Sequence, residues 1–248
     1  MDKSAEVHAS RSFKDVTTLL RLLTGSFRGA DLNQLLDLTQ LPPRLMEVEK
    51  KYRLGRGEKG SFAYLEFLAG LSRFFRRKQM AIVDHLVFSG LDQYFVLQRR
   101  REEFVFRYRI GANREPELTV KFKLRQPSNL VRGELTLDVR HESPETIRAL
   151  MSVVCRLADG YQLFTIGQSG EVWLGQRSDG GLIELVIYQV KRILPEPSAV
   201  PEYFVEIEPR NFSQVDQAIR AIDELAVRLK LKGRGCPRSI AELLRPKE

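Results

Sequence analysis

Apolar and polar residues alternate along most of the chain from Leu45 onward. The alternation predicts strands over 45–54, 91–98, 103–110, 117–125, 130–140, 161–167, 171–176, 182–193 and 202–209. Tight polar links such as "GANREP" and "RQPSN" suit antiparallel hairpins rather than βαβ crossovers. Three stretches carry helical spacing instead. "SFAYLEFLAGLSRFFRRKQ" (61–79) has Ser61 as a candidate cap, and "SPETIRALMSVVCRLA" (143–158) opens on Ser143, Pro144 and Glu145. "FSQVDQAIRAIDELAVRLKL" (212–231) sets Asp216 three residues after Ser213 and stops before Gly233. Ahead of the first strand, "SFKDVTTLLRLL" and "DLNQLLDLT" read as two short amphipathic helices ended by Pro42 and Pro43. The expected organisation is a helical N-terminal extension over 1–44 and a strand-rich domain over 45–248.

Side chains two apart in a strand share a face, and this parity sorts the charges. In the first strand Glu47, Glu49, Lys51 and Arg53 lie opposite Val48, Tyr52 and Leu54. Arg107 and Arg109 lie opposite Phe104, Phe106, Tyr108 and Ile110, and Lys121, Lys123 and Arg125 opposite Val120, Phe122 and Leu124. Arg132, Glu134, Thr136, Asp138 and Arg140 oppose Val131, Leu135, Leu137 and Val139, while Glu206 and Glu208 oppose Tyr203, Val205 and Ile207. A solvated face usually mixes signs to avoid repulsion between neighbours, yet here carboxylates pair at i, i+2 in two strands and cations pair in two others. A large antiparallel sheet twists strongly and tends to curl or close, which would turn the charged face inward. Buried charges of both signs then need partners. A polyanion with a divalent metal supplies them, because cations grip phosphate oxygens and paired carboxylates hold the metal. The chemistry such a face suits is phosphoryl transfer.

Composition narrows the partner rather than the fold. The chain of 248 residues is long enough for one large domain plus an extension, and lysine plus arginine exceed acids 40 to 32, which favours an anionic partner. Cys155 and Cys236 stand far apart, outside any CxxC or Cys/His zinc spacing, and read as reduced structural thiols. No apolar run approaches membrane-spanning length, and the first residues, with Asp2, Lys3 and Glu6, lack a signal-peptide core, so the cytoplasm is the default compartment. A G-x-G-x-x-G or P-loop motif and internal repeats are lacking, which disfavours the standard nucleotide-binding folds. "QRRREEF" (98–104) reads as a solvated turn and "FFRRKQ" (74–79) as an exposed helix end. His8, His85 and His141 show no ligand spacing, and Trp173 reads as a core strand residue.

The motifs, taken in order, resemble the CYTH superfamily, the triphosphate tunnel metalloenzymes. Its Glu-x-Glu-x-Lys signature matches Glu47, Glu49 and Lys51, and "DQYF" (92–95) is similar to its D-x-Y-F element. "FRYRIG" matches its Arg-x-Arg pair, "LTVKFK" its lysine strand, "VRGEL" its Arg-x-Glu segment, "FVEIE" its closing Glu-x-Glu and "RSIAELL" its C-terminal tail. The resemblance spans about residues 45–246. It implies an α+β fold, a closed antiparallel eight-stranded β tunnel with helices packed outside, that binds triphosphate compounds with Mg2+ or Mn2+. It further implies Glu47, Glu49, Glu134, Glu206 and Glu208 as metal ligands, and Lys51, Arg107, Arg109, Lys121, Lys123, Arg132 and Arg238 as phosphate-binding residues. Glu49, Lys51 and Arg109 would carry the catalysis.

Two positions depart from the family pattern. "YQLFTIGQSGEVW" has no basic residue where the family commonly has them, and "IELVIYQVKRI" puts Tyr188 where the family often has an aspartate. The function expected is metal-dependent hydrolysis of inorganic triphosphate, thiamine triphosphate or a nucleoside triphosphate. The same fold also hosts adenylate cyclases of the class IV type, and a non-catalytic module binding polyphosphate, nucleotide or RNA is the alternative from another class. The expected partner is a triphosphate or polyphosphate small molecule, with nucleic acid less favoured, no membrane, and a monomeric or homodimeric state.

Overall fold

The computed structural model describes residues 46–77, 80–99, 102–112, 114–123, 131–156, 158–212 and 214–246. The expected N-terminal extension lies outside the described residues, as do Arg125 and Ser213. The described strands are β1 (Met46–Val48), β2 (Lys50–Arg56), β3 (Ala81–Arg99), β4 (Glu102–Ala112), β5 (Arg114–Lys123), β6 (Val131–Asp138), β7 (Gly160–Gln176), β8 (Leu182–Leu194) and β9 (Glu202–Arg210). The helices are α1 (Gly57–Arg76), α2 (Pro144–Arg156), α3 (Val215–Arg228) and α4 (Ile240–Leu244).

Hydrogen bonding joins the strands in the order β1-β6-β5-β4-β3-β7-β8-β9-β2. The two ends of that order are consecutive in the chain, with Glu49 alone between them, so the fold is α+β with a nearly closed antiparallel β barrel. Eight strands were expected and nine are found, because the first strand changes hydrogen-bonding partner at Glu49. β1 pairs with β6 and β2 with β9.

The described residues form two compact units. One comprises 46–47, 92–110 and 115–164. In it the β5–β6 register runs from Glu117 opposite Asp138 to Lys123 opposite Arg132, which sets Lys121 directly across from Glu134. Gly133 lies opposite Phe122, whose ring fills the space that a side chain at 133 would need. Tyr94 stacks on Phe164 with centroids 5.0 Å apart. Helix α2 begins where the sequence predicts: the Ser143 hydroxyl accepts the Thr146 N–H at 3.1 Å and Pro144 takes the first helical position. It buries Ile147, Met151, Val154 and Cys155, one stripe at helical spacing.

The other unit comprises 48–91, 111–114 and 165–248. Here β2 pairs with β9, β9 with β8 and β8 with β7, all antiparallel. Helix α1 packs on β2 and β9, and α3 packs on β9. Strand β9 is accordingly buried on both faces, with only Glu202, Glu206 and Arg210 partly exposed. Helix α4 closes with a reciprocal cap. The Ser239 hydroxyl accepts the Glu242 N–H at 3.1 Å, and the Glu242 carboxylate accepts the Ser239 N–H at 2.7 Å.

Three boundaries in this unit differ from expectation. Helix α1 starts at Gly57 without a side-chain cap, so Ser61 lies inside it; Gly57 takes φ +60 and its N–H donates to the Pro201 carbonyl instead. Residues 81–90 extend β3. Finally, 161–167 and 171–176 are one strand, because Gly170 is not a turn. It lies opposite Tyr188, and a Cβ there would run into the Ile187 carbonyl oxygen and come within 2.7 Å of Tyr188 Cα. Gly170→Ala is therefore expected to lower stability by about 1–3 kcal/mol, read as a reduced urea midpoint at unchanged slope.

Candidate functional site

Part of the charged face read from parity is buried in each unit. Glu47, Lys51, Asp92, Thr119 and Glu208 are the buried polar residues among those described. In the first unit, Lys121 on β5 reaches both oxygens of Glu47, at 2.7 and 2.8 Å. Its ammonium also lies 2.9 Å from Glu134 Oε2. That second contact is ionic rather than a hydrogen bond, since Oε2 has no hydrogen-bond partner of acceptable geometry. One lysine is thus shared by two carboxylates. Burial pushes the Glu134 pKa up, but Lys121 and then Arg107 more than reverse this and hold it well below the usual carboxylate range.

The two arginines of β4 are each held by an acid. Arg107 donates to Glu117 at 2.9 Å and to Thr119 at 3.2 Å, and the Thr119 hydroxyl donates to the same Glu117 oxygen at 2.6 Å. Burial raises the Glu117 pKa, yet Arg107 and then Arg109, with the Thr119 hydroxyl, bring it down to about 2. Arg109 makes a two-pronged contact with Asp92, Nε to Oδ1 at 3.0 Å and one terminal nitrogen to Oδ2 at 3.1 Å. The Arg107 Nε–H, by contrast, is buried with no partner among the described residues. A guanidinium held in this way keeps one donor unused, and an N–H donor of that kind has the chemistry to bind an anion.

In the second unit, Lys51 is directly across from Glu206 in the β2–β9 register. Its ammonium lies 2.9 Å from Glu206 Oε1 and 3.4 Å from Glu49 Oε1. The Tyr188 hydroxyl donates to Glu206 Oε1 at 2.6 Å. Glu208 and Glu184 face each other across β9 and β8, and Arg210 bridges them at 2.7 and 2.9 Å.

Most of the residues named from sequence fall in these two clusters. Glu47, Arg107, Arg109, Lys121 and Glu134 belong to the first unit, and Glu49, Lys51, Glu206 and Glu208 to the second. Arg132 is half-buried and paired in register with Lys123 at the end of β5 and β6. Arg238 is exposed just before α4 and makes no ion pair with a described residue. Sequence reasoning missed Asp92 and Glu117 as the acids behind the arginines, and Arg210 with Glu184 beside Glu208. His85 and Trp173 form a separate contact: their rings stack at 3.8 Å and both nitrogens meet Glu171 Oε2, at 2.9 and 3.0 Å.

Buried ion pairs seldom repay their desolvation, and apolar replacements of similar volume are often neutral or stabilising. Stability alone therefore does not account for five buried or half-buried cations on acids. Among the described residues no three of His, Cys, Asp and Glu stand close enough to cage a metal ion. Magnesium-type ions, however, commonly take one or two carboxylates and complete their shell with water and substrate phosphate. Glu206 fits that demand. The Tyr188 hydroxyl donates to Oε1 and the Lys51 ammonium approaches the same oxygen, while Oε2 takes no hydrogen bond from a described residue in a side chain 18% exposed.

No helix among the described residues is long and apolar enough to cross a membrane. No family model and no curated protein matches the sequence. Among solved structures the chain is similar to the Pct1 RNA triphosphatase of S. pombe, with a TM-score of 0.40 and 12% identity over 88% of this chain and 91% of that one. It is likewise similar to that protein in complex with the Spt5 CTD, with a TM-score of 0.38 and 12% identity over 89% and 92%.

Proposed function

We propose that the protein is a divalent-metal-dependent hydrolase of a triphosphate-containing substrate: inorganic triphosphate, thiamine triphosphate or a nucleoside triphosphate. The observation that carries this reading is the buried charge itself, with lysines and arginines set against acids on strand faces that solvent barely reaches. The resemblance to the triphosphate tunnel metalloenzymes supports the same assignment. In the first unit Arg107 and Arg109 are held from behind by Glu117 and Asp92 and offer planar forks to phosphate oxygens, while Lys121 offers a point charge. Arg132 and Lys123 extend that set, and Arg238 is its outlying member. In the second unit Lys51 has the phosphate role.

Glu47 and Glu134, and in the second unit Glu49, Glu206 and Glu208, are the carboxylates that would hold Mg2+ or Mn2+ one or two at a time, with water and substrate phosphate completing the shell. A bound ion of this kind polarises a phosphoryl group and orients water toward it. The chain's own contribution is positional and electrostatic, with no protein nucleophile needed. Lys51 neutralises charge that develops on phosphate oxygens, and it can leave Glu206 for phosphate because Tyr188 still holds that carboxylate.

The test is phosphate release from inorganic triphosphate, thiamine triphosphate and ATP with magnesium or manganese. Release from at least one is expected, with Glu49→Ala and Lys51→Ala each lowering it by about 10²-fold or more. Tight binding of all three without turnover would overturn the enzyme in favour of a binding module, and a cyclic nucleotide from ATP would overturn it in favour of a cyclase.

A further inference from the structure

Tyr188 is 3% exposed, and its ring tilts against Phe204 at 5.7 Å. Its neighbours in register are Phe204 on β9 and Gly170 on β7. The residue directly opposite Glu206 on β8 is Val186, which has no polar group to offer. Tyr188 therefore reaches diagonally, and its hydroxyl arrives 2.6 Å from the very oxygen that Lys51 contacts at 2.9 Å. Gly170 lets β7 come close enough to keep the Tyr188 backbone in this place, since any side chain there would meet Tyr188 Cβ within 2.8 Å.

A buried tyrosine hydroxyl could simply be finding a partner, but this protein does not require that of its tyrosines. Tyr52 and Tyr108, 2% and 1% exposed, keep their hydroxyls without a partner among the described residues. The Tyr188 bond stands apart in being short and made to a carboxylate. The hydroxyl bond to Oε1, with the Lys51 ammonium against the same oxygen, restrains the carboxylate and leaves Oε2 without a hydrogen bond from a described residue.

Resting on the metal-dependent reading above, we propose that Tyr188 is a positioning residue: it locks Glu206 so that Oε2 is offered to a divalent cation when Lys51 turns to an anion. Hydrogen bonds of this kind to a ligating carboxylate are worth about 10–100-fold in metal affinity. The test measures free Mn2+ by electron paramagnetic resonance while the full-length protein is titrated in the presence of the β,γ-imido analogue of inorganic triphosphate, which resists hydrolysis.

Wild-type protein is expected to take up Mn2+, and Tyr188→Phe to weaken uptake about 10–100-fold, with a urea midpoint showing that the variant remains folded. In a Glu206→Ala background, Tyr188→Phe is expected to change Mn2+ affinity no further, which a merely structural tyrosine would not produce. Equal affinity of wild type and Tyr188→Phe, or an equal loss in both backgrounds, would overturn the role of Tyr188 while leaving the metal reading standing. Failure of the wild type itself to take up Mn2+ with the analogue would overturn the metal reading, and this proposal with it.

Discussion

Asp92→Ala lowers the free energy of unfolding by about 3–5 kcal/mol, the cost of leaving a buried guanidinium without its counter-charge. Asp92 has no exposure, and its two oxygens take the two nitrogens of Arg109 at 3.0 and 3.1 Å. Once the carboxylate is gone, Arg109 keeps its charge, because no accessible pH deprotonates it. Arg107, two residues along the same strand, then adds repulsion that nothing nearby offsets as well. The check is chemical denaturation of wild type, Asp92→Ala and the double replacement Asp92→Leu with Arg109→Met. The double variant is expected to recover most of the loss, because removing both charges leaves neither one stranded. A double variant as unstable as the single one would mean that the loss came from packing at 92.

Lys121→Met is expected to cost a similar amount, about 3–5 kcal/mol near neutral pH, and to reverse a pH dependence. Lys121 is the largest influence holding the Glu134 pKa down against burial. In the wild type, where the folded pKa is depressed, Glu134 contributes stability that is present above the pKa of the unfolded chain and fades as pH falls below it. Without Lys121, the two buried carboxylates Glu47 and Glu134 share one site with only Arg107 left to oppose burial at Glu134, so the pair holds a proton to higher pH. The sign then inverts: the cluster is least costly in acid and loses stability as pH rises through the raised value. Urea midpoints of wild type and Lys121→Met between pH 4 and pH 8 measure this directly, and their difference should widen toward the alkaline end. A constant difference would show that Lys121 acts by packing alone.

These clusters were partly readable from parity. Glu47, Glu49 and Lys51 share a face in any extended reading of "MEVEKK", and the pairing of Lys51 with Glu206 follows once β2 and β9 are neighbours. Glu117 and Thr119 carry the same parity as Lys121, so the acid behind Arg107 was present in the pattern. Asp92 was hidden for a physical reason. It begins a face whose next members are Tyr94 and Val96, both buried, so nothing in the alternation marks it as one of a charged row.

The fold was readable to the same degree. Helix α2 announces itself through Ser143 and Pro144, because its cap is built from its own side chains. Helix α1 does not, because its start depends on the left-handed Gly57 and on a carbonyl contributed by Pro201 from far along the chain. Residues 81–90 escaped because Ile82 and Val83, on opposite faces, are both about half exposed, which erases the alternation that identifies a strand. Gly170 misled in the opposite direction. A glycine between strands suggests a turn, whereas here it permits close approach of two backbones.

The pairing of β2 with β9 also sets an order of events. Lys51 leaves the ribosome about 155 residues before Glu206, the partner directly across from it. At roughly 5–20 residues per second, that is an interval on the order of ten to thirty seconds. Strand β2 and helix α1 can associate early, being adjacent in sequence, yet the charged side of β2 waits for β9, the last of the described strands. A nascent chain halted before β9 would carry Lys51 without the Glu206 that lies across from it. Assembly of this site thus follows the synthesis of every other described strand, and a truncation just after β8 would remove it while leaving most of the strands.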